Sequence, residues 1–243
     1  MKRRFFIFFI VCLLFLSSFA LAAKDYKVAV AQLPTTDSYV ALIKAIGEET
    51  KNNFNIEVFP MARSVYLIEN NQVDFQCPLI ENPDPKKAAN SKFDYSTTTV
   101  YKLVFVLYSN KAKNISAEEL KKGNPKNYKI ETDIAHVDYF NFSCSGSPSI
   151  EASLKKVDSG AIDGFIFSIT SSDKMLKSLA LKNIKRQYFD TFNNKFLIAK
   201  GTKGGEIDKM LSDGMTKIKA NGKYDQILGS LLKMAEKYDD WQP

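Results

Sequence analysis

The sequence predicts an α/β protein built as two kindred lobes that the chain crosses twice. Three observations carry this. Short runs rich in β-branched and aromatic residues alternate with amphipathic stretches, the pattern of a mainly parallel sheet covered by helices. The stretch Leu67 to Phe75 has a looser counterpart at Lys155 to Gly164: each ends an amphipathic run at a residue that tolerates left-handed geometry, Asn71 or Gly160, and each leads into a Val-Asp or Ile-Asp pair. Finally, Phe93 to Asn110 begins with hydroxyls and ends as Leu103-Val104-Phe105-Val106-Leu107-Tyr108. It reads as a strand that leaves one lobe and enters the other, with its polar beginning facing a gap between them.

The first segment, Met1 to Ala22, sets Lys2-Arg3-Arg4 before the apolar run Phe5 to Leu16 and ends on Ala20 and Ala22. A basic start, a short apolar core and a small-x-small ending predict a secretory signal peptide over residues 1–22, and hence a periplasmic location. A retained anchor is the competing reading; against it, the run falls short of the ~20 residues that a span needs. Removing the leader leaves 221 residues, enough for two lobes of ordinary size, and lowers the net charge from +7 to +4. That charge is spread as single lysines and Lys-Lys pairs without an Arg-rich block, which argues against a nucleic-acid partner.

The first lobe opens with a strand at Tyr26 to Ala31. Leu33-Pro34 breaks it, and Thr36 or Asp37 is placed to cap a helix through Val40, Ile43, Ile46 and Glu49. Ile56 to Phe59 is a second strand, Met61 to Asn70 a second helix, and Val73 to Leu79 a third strand, ended by Asn82-Pro83-Asp84-Pro85. In the second lobe Tyr128 to Asp133 is a strand, Ser147 and Pro148 start a helix, and Phe165 to Ile169 is a buried strand. Phe196 to Ala199 reads as the return crossing, followed by helices over Ile207 to Ala220 and Tyr224 to Tyr238, with the tail packing on the first lobe. The expected boundaries are residues 23–104 and 196–243 for a discontinuous lobe 1 and residues 105–195 for lobe 2.

With these elements in place, the chain resembles the extracellular solute-binding proteins of family 3, the amino-acid-binding-protein-like components of ABC importers. The residues that carry the likeness are the helix and turn from Arg63 to Asp74, Phe93-Asp94-Tyr95-Ser96, Ser149 to Leu154 through Gly160-Ala161-Ile162-Asp163-Gly164, and Asn221 to Leu228. The resemblance spans essentially the whole mature chain. It implies a type II periplasmic-binding-protein fold, two lobes joined by two crossing strands, closing by hinge motion over a small-molecule ligand, with an ABC permease as partner and a monomer in solution. It also implies where amino-acid binders hold their ligand. The carboxylate is met by an arginine some seven residues before the Ser of the Phe-x-x-Ser motif, and the ammonium by an acid at the end of the second-lobe strand. Those positions are Ala89 and Ser168 here. Charge-assisted bonds contribute about 1.5–3 kcal/mol each, so an ordinary α-amino acid is not the expected ligand.

Residue type suggests what lines the cleft instead: Thr35, Thr36 and Asp37 of the first loop, Cys77 and Pro78 at a strand end, and Ser96, Thr97 and Tyr101 of the crossing strand. Asp138, Tyr139, Phe167 and Ser168 are the expected contribution of the second lobe. Arg63 reads either as a clamp for an anionic group or as a surface arginine. Cys77 and Cys144 are expected in different lobes, free, because a bridge would block closure; an exported chain could also join them. A single histidine, His136, rules out a His-based metal cluster and reads as a polar residue near a loop, so no metal or other cofactor is expected. Besides ligand capture for an importer, two functions stay open: a stand-alone periplasmic sensor or accessory protein, and a cyclohexadienyl-dehydratase-like enzyme using Asp37 with Asp138.

Overall fold

Strands and helices alternate from Asp25 onwards. The computed structural model describes residues 23–124, 126–239 and 241–243; the expected signal peptide lies outside these residues. The first half of the sheet is laid down by β1 (Asp25–Ala31), α1 (Thr36–Thr50), β2 (Asn53–Phe59), α2 (Met61–Glu69) and β3 (Phe75–Ile80). β1 lies between β2 and β3, parallel to both. Its Val28 to Ala31 run is wholly buried, as a strand covered on both faces requires. α1 buries Tyr39, Leu42, Ile43 and Ile46 at helical spacing. Its N-cap is Thr35 rather than Thr36 or Asp37. The Thr36 hydroxyl accepts from Leu33 N and donates to Leu33 O, both at 2.7 Å, tying the Leu33-Pro34 turn to itself.

A short helix that the sequence reading missed, α3 (Pro85–Asn90), follows β3, with Asp84 accepting from Lys86 N at 2.9 Å. The chain continues through β4 (Phe93–Asn110), α4 (Ala117–Lys121), β5 (Ile130–Asp133), a 3-10 turn (Ile134–Tyr139), β6 (Ser145–Ser147), α5 (Ile150–Asp158), β7 (Gly164–Ser168), α6 (Ile169–Ser178), β8 (Ile184–Ala199), α7 (Glu206–Ala220) and α8 (Lys223–Ala235). The strand order is β2-β1-β3-β8-β4-β7-β5-β6.

The recurrence seen in the sequence is a recurrence of bonding. Asn71 and Gly160 both have positive φ, 53° and 75°. Beyond them, Asp74 accepts from Lys27 N at 2.7 Å and Asp163 from Lys129 N at 2.8 Å, each carboxylate fixing the start of a neighbouring strand. Ser149, not Ser147, caps α5, its hydroxyl accepting from Ala152 N at 3.2 Å. Ser147 instead ends β6, paired with Asp133, because the residue before a proline is biased to extended geometry. Ile169 belongs to α6 rather than β7; its β-branched neighbourhood concealed the helix.

β4 and β8 carry the chain between the halves, hydrogen-bonded antiparallel from Phe93↔Ala199 to Asn110↔Ile184. β3 joins β8 near Ile198, and β7 joins β4 from Phe105 to Ser109. The return crossing is a strand of 16 residues, of which the apolar run Phe196 to Ala199 is only the end. Within the hydroxyl-rich start of β4, Ser96 and Thr97 do not face the gap. The register shifts between Tyr95 and Thr99, and there Ser96 Oγ donates to Thr98 O at 2.8 Å. Thr97 N and Oγ1 donate to Asp208 of α7 at 2.9 and 3.0 Å. These polar groups serve the bulge and the first turn of α7, a correction to the sequence reading.

The tail also differs from expectation. α7 and α8 pack on α1 of the first half, but residues 238, 239 and 241–243 lie on the other. Tyr238 and Gln242 donate to Arg186 O at 3.0 and 3.2 Å, and the Tyr238 and Trp241 rings lie 5.2 and 4.9 Å from the Arg186 guanidinium. That guanidinium is fully buried and binds Asp173 of α6 through two bonds of 2.9 and 2.5 Å, while Tyr108 donates to the same carboxylate at 2.6 Å. Removing one partner of a buried pair leaves an uncompensated charge. Asp173→Ala is therefore expected to cost about 3 kcal/mol in a urea unfolding curve; a loss below about 1 kcal/mol would mean that Asp239, 3.0 Å from Arg186 Nη1, suffices as its partner.

Candidate functional site

Above the crossing strands, the two halves meet around a buried cavity of about 20 Å³, roomy enough for one water. β3 supplies Pro78, Leu79 and Ile80, α1 supplies Tyr39, and α2 supplies Met61. From the other side come Phe167 and Ser168 at the end of β7, Thr170 and Ser171 in the first turn of α6, and His136 from the 3-10 turn. Leu103 and Phe105 of β4 and Asn194 of β8 form the floor. Among the described residues, no Asp, Glu, Lys or Arg borders this cavity.

The wall is aromatic and sparsely hydrogen-bonded. Tyr39 and Tyr101 stack with centroids 6.2 Å apart and their hydroxyls are hydrogen-bonded to each other; Asn194 Nδ2 donates to Tyr39 Oη at 3.0 Å. Burial pushes both phenols up, so both stay protonated. His136 is 2% exposed, ringed by Tyr139, Phe167 and Phe105 at 5.0, 5.5 and 5.7 Å, and neither of its nitrogens has a hydrogen-bond partner. The Ser171 hydroxyl is likewise buried without one. Burial takes the His136 imidazole down to about 3 and pushes the Asp133 carboxyl, 3.8 Å behind it, up to about 6, a rise that the Ala135 N–H bond moderates.

Two solvent grooves flank the cavity. One, of about 420 Å³, runs between Pro34, Thr35, Asp37 and Ser38 on one side and Thr170, Lys174 and Lys177 on the other; Lys174 Nζ spans it to Pro34 O at 2.6 Å. The second, of about 580 Å³, lies between α2, α3 and the 3-10 turn, where Lys87 Nζ reaches Asp138 O at 2.7 Å. The Tyr95 and Tyr139 hydroxyls meet at 2.7 Å across the same junction. Together these bonds link the elements on either side of the cavity.

Of the residues singled out by sequence, Pro78, Phe167 and Ser168 line the cavity, and Tyr101 backs it through Tyr39. Thr35 and Asp37 border the first groove, Asp138 and Tyr139 the second, so the two aspartates face different openings and do not form a carboxylate pair across one site. Thr36, Ser96 and Thr97 are bound to their own turn, bulge or helix start. Cys77 is buried behind Pro78, across a cis peptide bond, and both Cys77 and Cys144 are free thiols. Arg63 is exposed, its guanidinium 5.0 Å over the Tyr66 ring, and borders none of these spaces. Ala89 is exposed on α3. Sequence reasoning missed Leu103 and Phe105, although alternation along a strand places them on the same face as Tyr101. It also missed His136, read as a polar loop residue.

No family model matches the chain, and no curated protein matches it by sequence. The backbone is similar to that of a histidine kinase sensor domain with similarity to periplasmic binding proteins, with a TM-score of 0.69 and 13% identity over 86% of this chain and 96% of that one. It is similar to the arginine-, lysine-, histidine-binding protein ArtJ of Geobacillus stearothermophilus (0.67, 12%, 88% and 96%) and to the substrate binding protein of an amino acid ABC transporter (0.64, 16%, 86% and 99%). The fold is that of the type II periplasmic binding proteins. Within it, the central cavity of this protein is lined by neutral groups, while the grooves beside it carry charged ones. Among the described residues no helix is long and apolar enough to cross a membrane.

The buried His136 and Asp133 make opposite demands on pH. Unfolded, His136 takes up its proton near 6.5, and folded only near 3, so its burial costs stability as pH falls through that interval. Asp133 holds its proton up to about 6 when folded but only to 3.8 when unfolded, so it adds stability as pH falls and removes it as pH rises. Asp133→Asn, which keeps an acceptor for Ala135 N–H, is expected to raise the unfolding free energy at pH 8 by about 2–3 kcal/mol, measured by chemical denaturation. In His136→Phe the acid side is relieved, and stability should rise between pH 6 and 4, where the parent stays nearly level.

Proposed function

We propose that this protein is a periplasmic solute-binding protein that captures a small polar ligand between residues 23–104 plus 196–243 on one side and 105–195 on the other, for delivery to an ABC importer. The observation that carries the reading is the junction itself. Around the cavity the halves are joined by the paired strands β4 and β8 and by a few side-chain bonds, with the tail seated on Arg186 as a further link, while polar groups with no partner lie buried between them. Parting the halves at the cavity breaks two lysine-to-carbonyl bonds and one tyrosine pair, each worth about 1 kcal/mol, while the tail can stay seated on Arg186. The ligand is not an ordinary α-amino acid: neither a cation for its carboxylate nor an acid for its ammonium borders the cavity.

The likeness to a kinase sensor domain favours a second reading, a sensor or accessory protein that closes by the same motion but hands its ligand to no permease. Both readings predict binding; they part at the partner. The test is a thermal-unfolding screen of residues 23–243 against amino acids, polyamines, organic acids and small sugars, followed by solution scattering on any compound that stabilises. A true ligand at 100 times its dissociation constant should add about 2.7 kcal/mol and shrink the radius of gyration. The double variant Lys87→Met, Lys174→Met should start from a larger radius than the parent. Absence of both stabilisation and any change of radius would end the solute-binding reading, and co-purification with a permease would favour the importer over the sensor.

A further inference from the structure

We infer that the central cavity takes a flat, uncharged guest bearing both a hydrogen-bond donor and an acceptor, an amide or an N-heteroaromatic ring, held by His136 and Ser171. This rests on the solute-binding reading and names the ligand class of that site.

Three features converge on it. First, the unmet polar groups are neutral and complementary. His136, 2% exposed, has two nitrogens without partners, and a neutral imidazole offers one donor and one acceptor. Ser171, 1% exposed, adds a hydroxyl that can do either. A buried polar group left unsatisfied costs about 1–3 kcal/mol, so a guest that meets His136 Nε2, the nitrogen not facing Asp133, and the Ser171 hydroxyl gains what the closed protein lacks. Secondly, the wall carries no charge. Bringing an ammonium or a carboxylate into it would cost several kcal/mol per ion without a counter-charge, whereas the first turn of α6, to which Ser168 supplies no side-chain cap, suits the partial negative charge of a carbonyl oxygen. Thirdly, the space is small, so any guest larger than a water requires the halves to part. At about 20 Å³ it lies among the rings of Pro78, Phe105 and Phe167, and a planar body asks for the least separation of the halves.

The closing experiment uses isosteres that differ in charge. Nicotinamide, benzamide and uracil are titrated by calorimetry into residues 23–243 at pH 7.5 beside nicotinate, benzoate and L-glutamine, and each mixture is checked for compaction by scattering. At least one neutral probe is expected to bind, at least tenfold more tightly than its charged counterpart or L-glutamine, and His136→Phe and Ser171→Ala should each weaken it tenfold or more. Tighter binding of nicotinate, benzoate or L-glutamine with compaction would overturn the ligand class while leaving the solute-binding reading in place. Binding of a neutral probe that neither variant weakens would overturn the assignment to His136 and Ser171. Failure of all six probes to bind would overturn the ligand class; if the wider screen also gave neither stabilisation nor compaction, the solute-binding reading would fall with it.

Discussion

The hydrogen-bonded pairing of β4 with β8 is the constraint on which the molecule depends. Each strand belongs to both halves of the sheet: β3 takes its place beside the end of β8, β7 beside the later part of β4. Such a ladder can twist and bend, but it cannot slide, because a slip of one residue would turn every buried side chain of β4 outward. On the proposed solute-binding reading, the relative motion is an opening and closing about the ladder. The cavity lies directly over it, with Leu103, Phe105 and Asn194 as floor. The bulge at Ser96 to Thr98 is anchored through Lys195 Nζ to Ser96 O at 3.2 Å and through Asp208 to Thr97, which keeps the bend local.

What closes the gap is weak by design of its parts. Lysine ammonium groups on backbone carbonyls and one pair of tyrosine hydroxyls are single hydrogen bonds that water can replace. The interior is more costly: a histidine ring without partners, a buried serine hydroxyl, and a carboxyl held partly protonated near neutrality by burial. On the solute-binding reading, stability and readiness to open are thus set by different residues, the former by aromatic packing within each half and the latter by groups at the junction.

Much of the fold could be read from the chain because it rests on local signals. Alternating apolar runs gave the strands, and the pairing of Asp74 with Asp163 reflects one bonding pattern used twice. β8 was only partly legible, since Lys185, Arg186, Asn193 and Asn194 interrupt its apolar pattern, and their partners, in turn Lys113, the tail with Asp173, Glu81 and Tyr39, lie elsewhere in the sequence. The site was less legible still. Hydroxyls at Ser96 and Thr97 look like ligand groups in a sequence, but a bulge and a helix start claim them. His136 looks like a loop residue because nothing in Ile134 to Tyr139 announces that Phe105 and Phe167 will enclose it. Residue type signals polarity; only the fold decides which polar atoms are left without a partner.

The crossing of residues 238, 239 and 241–243 onto Arg186 has a bearing on how the chain reaches this state. The first half is incomplete until the end of β8 has been made, and the second keeps an open flank over its buried Asp173 and Arg186 pair until the segment that follows α8 arrives. Neither half can finish early during synthesis, since contacts of long sequence separation must wait for the chain between them. Assembly is consequently a late, joint event, in which the residues that seal one half are delivered by helices seated on the other.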